Sequence, residues 1–234
     1  MCRFVYARIA RGGGSLTAPN NGFTLAEVLI TLGIIGIVAA MTIPTLLANH
    51  RSKVLEATFQ KSYNEFSQVL LRVTNVQDEN IYGNLIGSEI QYLLANEYPN
   101  SKVTGEIYPT SPEFQEKMLG FSLPIYKTYN KSKEFSAKYF DDGSVIVNKG
   151  FFIFINSDNR NSKNIQFALD INGIKAPNIV GYDVFFFGLN ENNYLILPND
   201  DPSLCSLTSN DEKNGYSCSY YAINDKKYFG KLAW

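Results

Sequence analysis

The hydrophobic pattern of this chain changes at residue 48. An almost unbroken apolar stretch runs from Leu25 to Ala48, and its single charged residue is Glu27. An α-helix rises about 1.5 Å per residue, so these 24 residues are long enough to cross the hydrocarbon core of a bilayer. The stretch therefore predicts a membrane-spanning helix that carries an acidic residue near its start.

Beyond residue 48 the apolar positions recur with a helical period. They are spaced by four, three, four and three residues, and charged residues lie between them. This spacing places the apolar side chains on one face of a helix. We therefore expect one helix over residues 23–76, membrane-embedded in its first half and packed against a globular head by its second half. The stripe consists of Phe59, Tyr63, Phe66, Leu70 and Val73.

The rest of the chain predicts a mixture of short helices and strands. One helix is expected at residues 89–98, and another begins where Ser111 and Pro112 supply a cap and a first-turn proline. A long N-terminal helix laid across a mainly antiparallel sheet is the α+β fold that this order suggests. The predicted strands are residues 135–140, 144–147, 151–155, 164–170, 183–187 and 194–197.

Residues 1–22 have the composition of a processed leader. They contain three arginines, no acidic residue and a run of three glycines. The junction of Gly22 and Phe23 precedes the apolar stretch, whereas an ordinary secretory signal is cleaved after it. Cleavage at this junction would leave the helix on the mature protein, with a new amine on Phe23. We therefore expect a leader at 1–22, a helix at 23–76 and a head at 77–234.

The segment Gly22-Phe23-Thr24-Leu25-Ala26-Glu27, followed by the apolar run, resembles the class III signal of type IV pilins and type II secretion pseudopilins. The resemblance implies that a prepilin peptidase cuts after Gly22 and methylates the amine of Phe23. It also implies that Glu27 pairs with the Phe23 amine of a neighbouring subunit during assembly. The physics is consistent, because a buried acid and a buried amine are each costly alone and tolerable together.

The same resemblance implies a location and a set of partners. The expected location is the bacterial cytoplasmic (inner) membrane, with a single span and an exported head, followed by a pilus or pseudopilus. The expected partners are the prepilin peptidase, an inner-membrane assembly platform, the lipid bilayer and other pilin or pseudopilin subunits in a homo- or hetero-oligomeric filament. The helix from Gly36 to Pro44 is expected to be a flexible zone. The alternatives are a minor pilin with an adhesive or DNA-uptake role, and a plain signal anchor.

Charge and histidine content narrow the function classes. Residues 23–234 contain 18 basic and 22 acidic residues, a net charge of −4, so the chain has no electrostatic footprint for nucleic acid. Arg51 and Lys53 follow the apolar run, so the distribution of positive charge does not by itself decide the orientation of the span.

The only histidine, His50, lies beside the run, so no Ser-His-Asp or Cys-His set is expected in the head. We do not expect an enzyme.

Two cysteines lie close together near the end of the head. Cys205 and Cys218 are separated by 12 residues rich in serine and asparagine. In an exported head, we expect such an isolated pair to form a disulfide. A zinc site is less favoured, because zinc needs two further Cys or His ligands.

The loop from Asp170 to Asp183 allows two interpretations. Asp170 and Asn172, followed by Gly173, resemble the opening of a calcium loop, and some type II secretion pseudopilins bind calcium between late strands. Calcium would then be held by Asp170, Asn172 and Asp183. The loop has no later bidentate acid, however, and Lys175 would lie near the cation. The alternative is an Asx and Gly/Pro turn without a cofactor.

Overall fold

Helix α1 (Leu25–Gln77) is continuous over 53 residues in the computed structural model, as the apolar pattern predicts. The structure describes residues 22–77, 81–82, 85, 87–104, 111–148, 150–157 and 164–234. It divides after Leu46 into two compact units, the second of which is Leu47–Trp234. The predicted stripe lies in the second unit, where Phe59, Phe66, Leu70 and Val73 are buried and Tyr63 is partly buried.

Within the described residues, six strands form one antiparallel sheet, and their order in the sheet is their order in the chain. Each edge strand has only two residues, which limits the open edge that could pair with another chain. Together with α1, the sheet forms the α+β, pilin-like architecture that the sequence predicts. The strands are β1 (Lys102–Val103), β2 (Gly143–Asn148), β3 (Phe151–Ser157), β4 (Ile165–Asp170), β5 (Val184–Leu189) and β6 (Leu195–Ile196).

The described part of the head also contains three α-helices, namely α2 (Gly87–Glu97), α3 (Pro112–Leu119) and α4 (Cys218–Asn224). The sequence predicts the first two. Helix α3 begins as its cap signal indicates, because the hydroxyl of Ser111 accepts a hydrogen bond from the Phe114 N–H at 3.3 Å. Helix α4 and strand β1 are not predicted, since both are too short to show a clear hydrophobic period.

The central strands carry apolar side chains on both faces of the sheet, because other parts of the chain cover both faces. Phe185 of β5 points to α1, where its ring centroid lies 4.4 Å from that of Phe59. The next residue, Phe186, points to the opposite face and lies 5.7 Å from Phe140. Successive residues of a strand point to opposite faces, so an unbroken apolar run is what a sheet buried on both sides requires.

The predicted strand at residues 135–140 is wrong. Phe135 and Phe140 are five residues apart, so a strand would direct them to opposite faces. A single 3-10 turn, Ala137–Tyr139, instead brings both rings into the same cluster, with centroids 5.9 Å apart. This segment is rich in aromatic residues because it packs against the sheet, and it is not one of the strands of the sheet.

The predicted disulfide between Cys205 and Cys218 is confirmed, with Cα atoms 5.0 Å apart. Cys218 is fully buried and begins helix α4. The bond therefore ties α4 to the preceding loop. Beyond α4, the hydroxyl of Tyr228 donates to the carbonyl of Gly181 at 2.5 Å, which attaches the last segment of the chain to the loop before β5.

Candidate functional site

The expected cleavage bond, between Gly22 and Phe23, lies in an exposed segment before α1. Phe23 is 87% exposed. A Cβ atom placed on Gly22 would meet no atom of the described residues within 4 Å, so α1 does not cover the backbone at this position. Both residues lie outside regular secondary structure. An enzyme that cuts an extended backbone therefore has access to this bond without unfolding the helix.

Thr24 and Glu27 form a reciprocal cap at the start of α1. The Thr24 N–H donates to Glu27 Oε2 at 2.7 Å, and the Thr24 hydroxyl donates to the same oxygen at 2.8 Å. In return, the Glu27 N–H donates to the Thr24 hydroxyl at 3.2 Å. This is a capping box, in which each residue satisfies a backbone N–H that the helix leaves without a partner.

The capping box gives Glu27 a second role that our sequence analysis missed. The signal was present, because Thr-x-x-Glu before an apolar run is the signature of this cap. The interaction also holds the carboxylate at the helix N-terminus, where the helix dipole favours negative charge. Glu27 is exposed, so its carboxylate remains accessible to a further partner.

Pro44 lies inside α1, and the helix continues through it. Proline removes one backbone donor, so the turn around it loses a hydrogen bond. Two threonine hydroxyls near the proline add side-chain donors to this region. Thr42 donates to the Val38 carbonyl and Thr45 to the Thr42 carbonyl, both at 2.9 Å. The flexibility of residues 36–44 in a filament stays a prediction.

The apolar run of α1 is exposed along its length. Its large apolar side chains from Leu25 to Leu46 are between 40% and 78% exposed. The helix is long and apolar enough to cross a membrane, judged by length and composition, and none of its most apolar 18-residue window is buried. A continuous apolar surface of this extent requires lipid or other helices as its surroundings. This is consistent with membrane anchoring.

A family model described as the prokaryotic N-terminal methylation motif matches residues 18–43. The chain carries a prepilin-type signal. This signal is the one found in type IV pilins and pseudopilins, so the resemblance stated from Gly22 to Glu27 is confirmed. Comparisons with the curated proteins and with the solved structures find no match for this chain.

The prepilin-type signal supports a pilin- or pseudopilin-type precursor. It implies processing by a prepilin peptidase and assembly with pilin subunits. It points to a structural subunit rather than to an enzyme. The match ends at residue 43, so these statements concern the signal and the helix that follows it, and the head has to be interpreted from its own geometry.

In the head, the two acidic residues of the candidate calcium loop are completely buried and accept hydrogen bonds from the loop itself. Asp170 Oδ1 accepts from the N–H groups of Asn172 and Gly173, at 3.1 and 2.6 Å. Asp183 accepts from the N–H groups of Asn178 and Ile179, at 2.7 and 2.8 Å. The bonds to Asp170 are those of the Asx turn in the alternative interpretation, whereas Asp183 holds N–H groups that lie four and five residues earlier in the loop.

Burial is the main cause of the raised pKa values of Asp170 and Asp183. It raises the pKa of Asp170 well above its usual range, and repulsion from Asp183 adds to the rise. The hydroxyl of Tyr126, which donates to Asp170 Oδ2 at 2.6 Å, partly opposes this rise in pKa, as do the backbone donors. Burial likewise raises the pKa of Asp183. The pair therefore tends to hold a proton inside the head.

Calcium binding by Asp170, Asn172 and Asp183 stays a prediction. In its favour, Asn172 Oδ1 is buried without a hydrogen-bond donor among the described residues. Against it, the described part of the chain contains no group of three or more His, Cys, Asp or Glu side chains that could hold a metal ion. A bound cation would also have to compete with the backbone donors for the carboxylate oxygens.

Proposed function

We propose that this protein is a structural subunit of a type IV pilus or of a type II secretion pseudopilus. A prepilin peptidase cleaves it after Gly22 and methylates the new amine of Phe23. The apolar run of α1 anchors it in the bacterial inner membrane as a single span, and the head, residues 77–234, is exported. An inner-membrane assembly platform then adds the subunit to a filament. The observation that carries the proposal is the prepilin-type signal directly before an exposed apolar helix.

In this proposal, assembly moves the apolar surface of α1 from contact with lipid to contact with other subunits. The exposed run of α1 leaves the bilayer and packs against the same run of other subunits. Glu27 moves with it, and an unpaired acid at the centre of a bilayer costs about 2.5–3.5 kcal/mol. Pairing with the Phe23 amine of a neighbour offsets that cost and sets the axial register between subunits.

Mass spectrometry of the mature N-terminus tests the processing step. The expected product begins with N-methylated Phe23. A mature chain that keeps residues upstream of Gly22, or one cleaved after Ala48, contradicts the proposal. The matched control is Gly22→Leu, which places a large side chain at the cleavage bond and should leave the leader attached.

A second experiment tests assembly separately from processing. Glu27→Ala should be cleaved normally and should fail to enter filaments, because the partner of the Phe23 amine is missing. Cleavage is read by mass spectrometry and assembly by sedimentation of sheared filaments. Filaments of Glu27→Ala at the wild-type yield would remove the pairing role, while leaving the processing step intact.

A further inference from the structure

Two grooves lie beside α1 immediately after the apolar run. The first, which we call the Trp234 groove, has a volume of about 620 Å³ and lies between α1 and the loop before β5. Among the described residues, its lining includes Arg51, Lys175 and Trp234 but no acidic side chain. It is open to solvent, and both cationic side chains are exposed. An anion that enters this groove therefore meets positive charge and an indole ring.

The second groove, which we call the Lys226 groove, has a volume of about 440 Å³ and lies between α1 and the segment after α4. Its lining contains four lysines and one acidic residue, Glu56. All four lysines are exposed, and one of them, Lys231, is paired with Asp225 at 2.6 Å. The lysines are Lys53, Lys226, Lys227 and Lys231.

The concentration of positive charge at these grooves contrasts with the rest of the head. From residue 49 onward the chain has 18 Lys and Arg residues against 21 Asp and Glu residues. Within the part of the chain that the structure describes, six Lys and Arg side chains and one carboxylate, that of Glu56, line the two grooves. The described chain after residue 48 is acidic as a whole and is basic around the first turns of α1 that follow Ala48.

Trp234 places an amphipathic ring at the same level. Its indole N–H donates to the hydroxyl of Ser52 at 2.8 Å, and the guanidinium of Arg51 lies 5.7 Å from the ring centroid. Ser52 is four residues beyond Ala48, or about 6 Å along the helix axis. Tryptophan is enriched at the interface between hydrocarbon and water, because one edge of the ring is polar and the rest is apolar.

We propose that the two grooves bind the headgroups of anionic phospholipids, so that the base of the head docks on the membrane that holds the apolar run. The inference rests on the membrane anchoring in the proposed function. Basic residues beside a span normally mark its cytoplasmic side. On an exported head these residues need another partner, and anionic headgroups supply complementary charge at the correct depth.

Trp234 is the single tryptophan of the chain and lines the Trp234 groove, so its fluorescence reports directly on that groove. The full chain is reconstituted into liposomes that contain equal amounts of phosphatidylcholine and phosphatidylglycerol. In one preparation the bromine quencher is carried by phosphatidylglycerol, and in the other by phosphatidylcholine. We expect brominated phosphatidylglycerol to quench Trp234 at least about twofold more strongly at low salt. The preference should disappear near 1 M salt, where the screening length is about 3 Å.

A matched pair of variants tests whether the lipid preference depends on the lysines of the grooves or on the net charge of the protein. Lys53→Gln/Lys175→Gln/Lys227→Gln removes three groove lysines, one from the Trp234 groove and two from the Lys226 groove, and should abolish the preference. The control variant removes three exposed lysines that line neither groove, and it should keep the preference. It is Lys117→Gln/Lys127→Gln/Lys213→Gln.

Three outcomes overturn the docking. These are equal quenching by the two brominated lipids, an equal loss in both triple variants, and salt-sensitive cross-linking of the grooves to a second copy of the chain in pure phosphatidylcholine. The last outcome would assign the grooves to a contact between subunits. Co-flotation with liposomes reports anchoring separately. A chain that floats without a lipid preference contradicts only the docking, whereas a chain that does not float contradicts the proposed function as well.

Discussion

Thr24 and Glu27 satisfy each other's backbone N–H groups at the first turn of α1, at 2.7 Å to the Glu27 carboxylate and 3.2 Å to the Thr24 hydroxyl. The residue that we propose to act in assembly is therefore also the residue that caps the helix. A glutamine can accept the same hydrogen bond from Thr24, because the capping box uses Glu or Gln at this position. The two roles can thus be separated by substitution.

Glu27→Gln should retain the cap and lose the charge. We expect normal cleavage and unchanged helix content in circular dichroism, together with the loss of filament assembly. The complementary variant, Thr24→Ala, keeps the charge and removes the cap, which should lower the stability of the helix by about 1 kcal/mol while filaments still form. Normal filament yield from Glu27→Gln would show that the carboxylate acts through the cap alone.

Gly181→Ala should be strongly destabilising, because two separate effects act at this position. Its φ is +88°, and an added Cβ would lie 2.6 Å from Cys218 Sγ and 2.7 Å from the ring of Tyr129. The left-handed backbone alone costs about 1–2 kcal/mol for an L-residue, and overpacking adds about 1–3 kcal/mol. We expect a total loss of about 3 kcal/mol in urea-induced unfolding.

Gly120→Ala is the matched control for that substitution. Gly120 ends helix α3 with a φ of +79°, but a Cβ there would meet no atom within 4 Å. Only the backbone effect remains, so the expected loss is about 1 kcal/mol. Equal losses from the two variants would mean that the loop around Gly181 moves away from the new methyl group without resistance.

Breaking the bond between Cys205 and Cys218 should lower the free energy of unfolding by about 3 kcal/mol, since the cross-link closes a loop of 13 residues in the unfolded chain. For a domain of this size, that corresponds to a fall in Tm of about 6–12 °C. A reductant should lower the Tm of the wild type and leave Cys205→Ala/Cys218→Ala unchanged. A reductant-sensitive Tm in the double variant would assign the effect to another cause.

The buried pair Asp170 and Asp183 should make the head less stable as the pH rises. Burial raises the pKa of both carboxyls in the folded state. The folded state therefore holds more protons than the unfolded state above the ordinary Asp value of about 3.9, and stability falls as the pH increases through the raised pKa values. Asp170→Asn keeps the turn hydrogen bonds and removes one titrating group, so its Tm should depend less on pH. Glu116→Gln, at an exposed position of α3, should keep the wild-type slope.

The calcium interpretation makes a separate prediction for the same loop. A bound cation would favour the ionised carboxylates, so added calcium should raise the Tm of the wild type, most strongly near neutral pH. Asp170→Asn should respond less, because one ligand loses its charge. If calcium leaves the wild-type Tm unchanged, the loop is a structural turn and the metal interpretation is removed.

The sequence alone determined the parts of this protein that depend on local pattern. The helix expected over residues 23–76 is found at Leu25–Gln77, because apolar spacing along one segment decides which face is buried. The prepilin-type signal was readable from Gly22 to Glu27 because the motif is a contiguous run of residues. Ser111, which caps α3, was found for the same reason, since a cap and its helix are adjacent in the chain.

Only the tertiary structure decided which distant residues meet. The segment from Phe135 to Phe140 is as aromatic as a strand, but it forms a turn. Its rings cover a face of the sheet that is formed by residues far along the chain. Ser52 and Trp234 are 182 residues apart, and their hydrogen bond holds the indole ring that lines the Trp234 groove. Such contacts depend on how loops close over a core, and the local hydrophobic period carries no information about that closure.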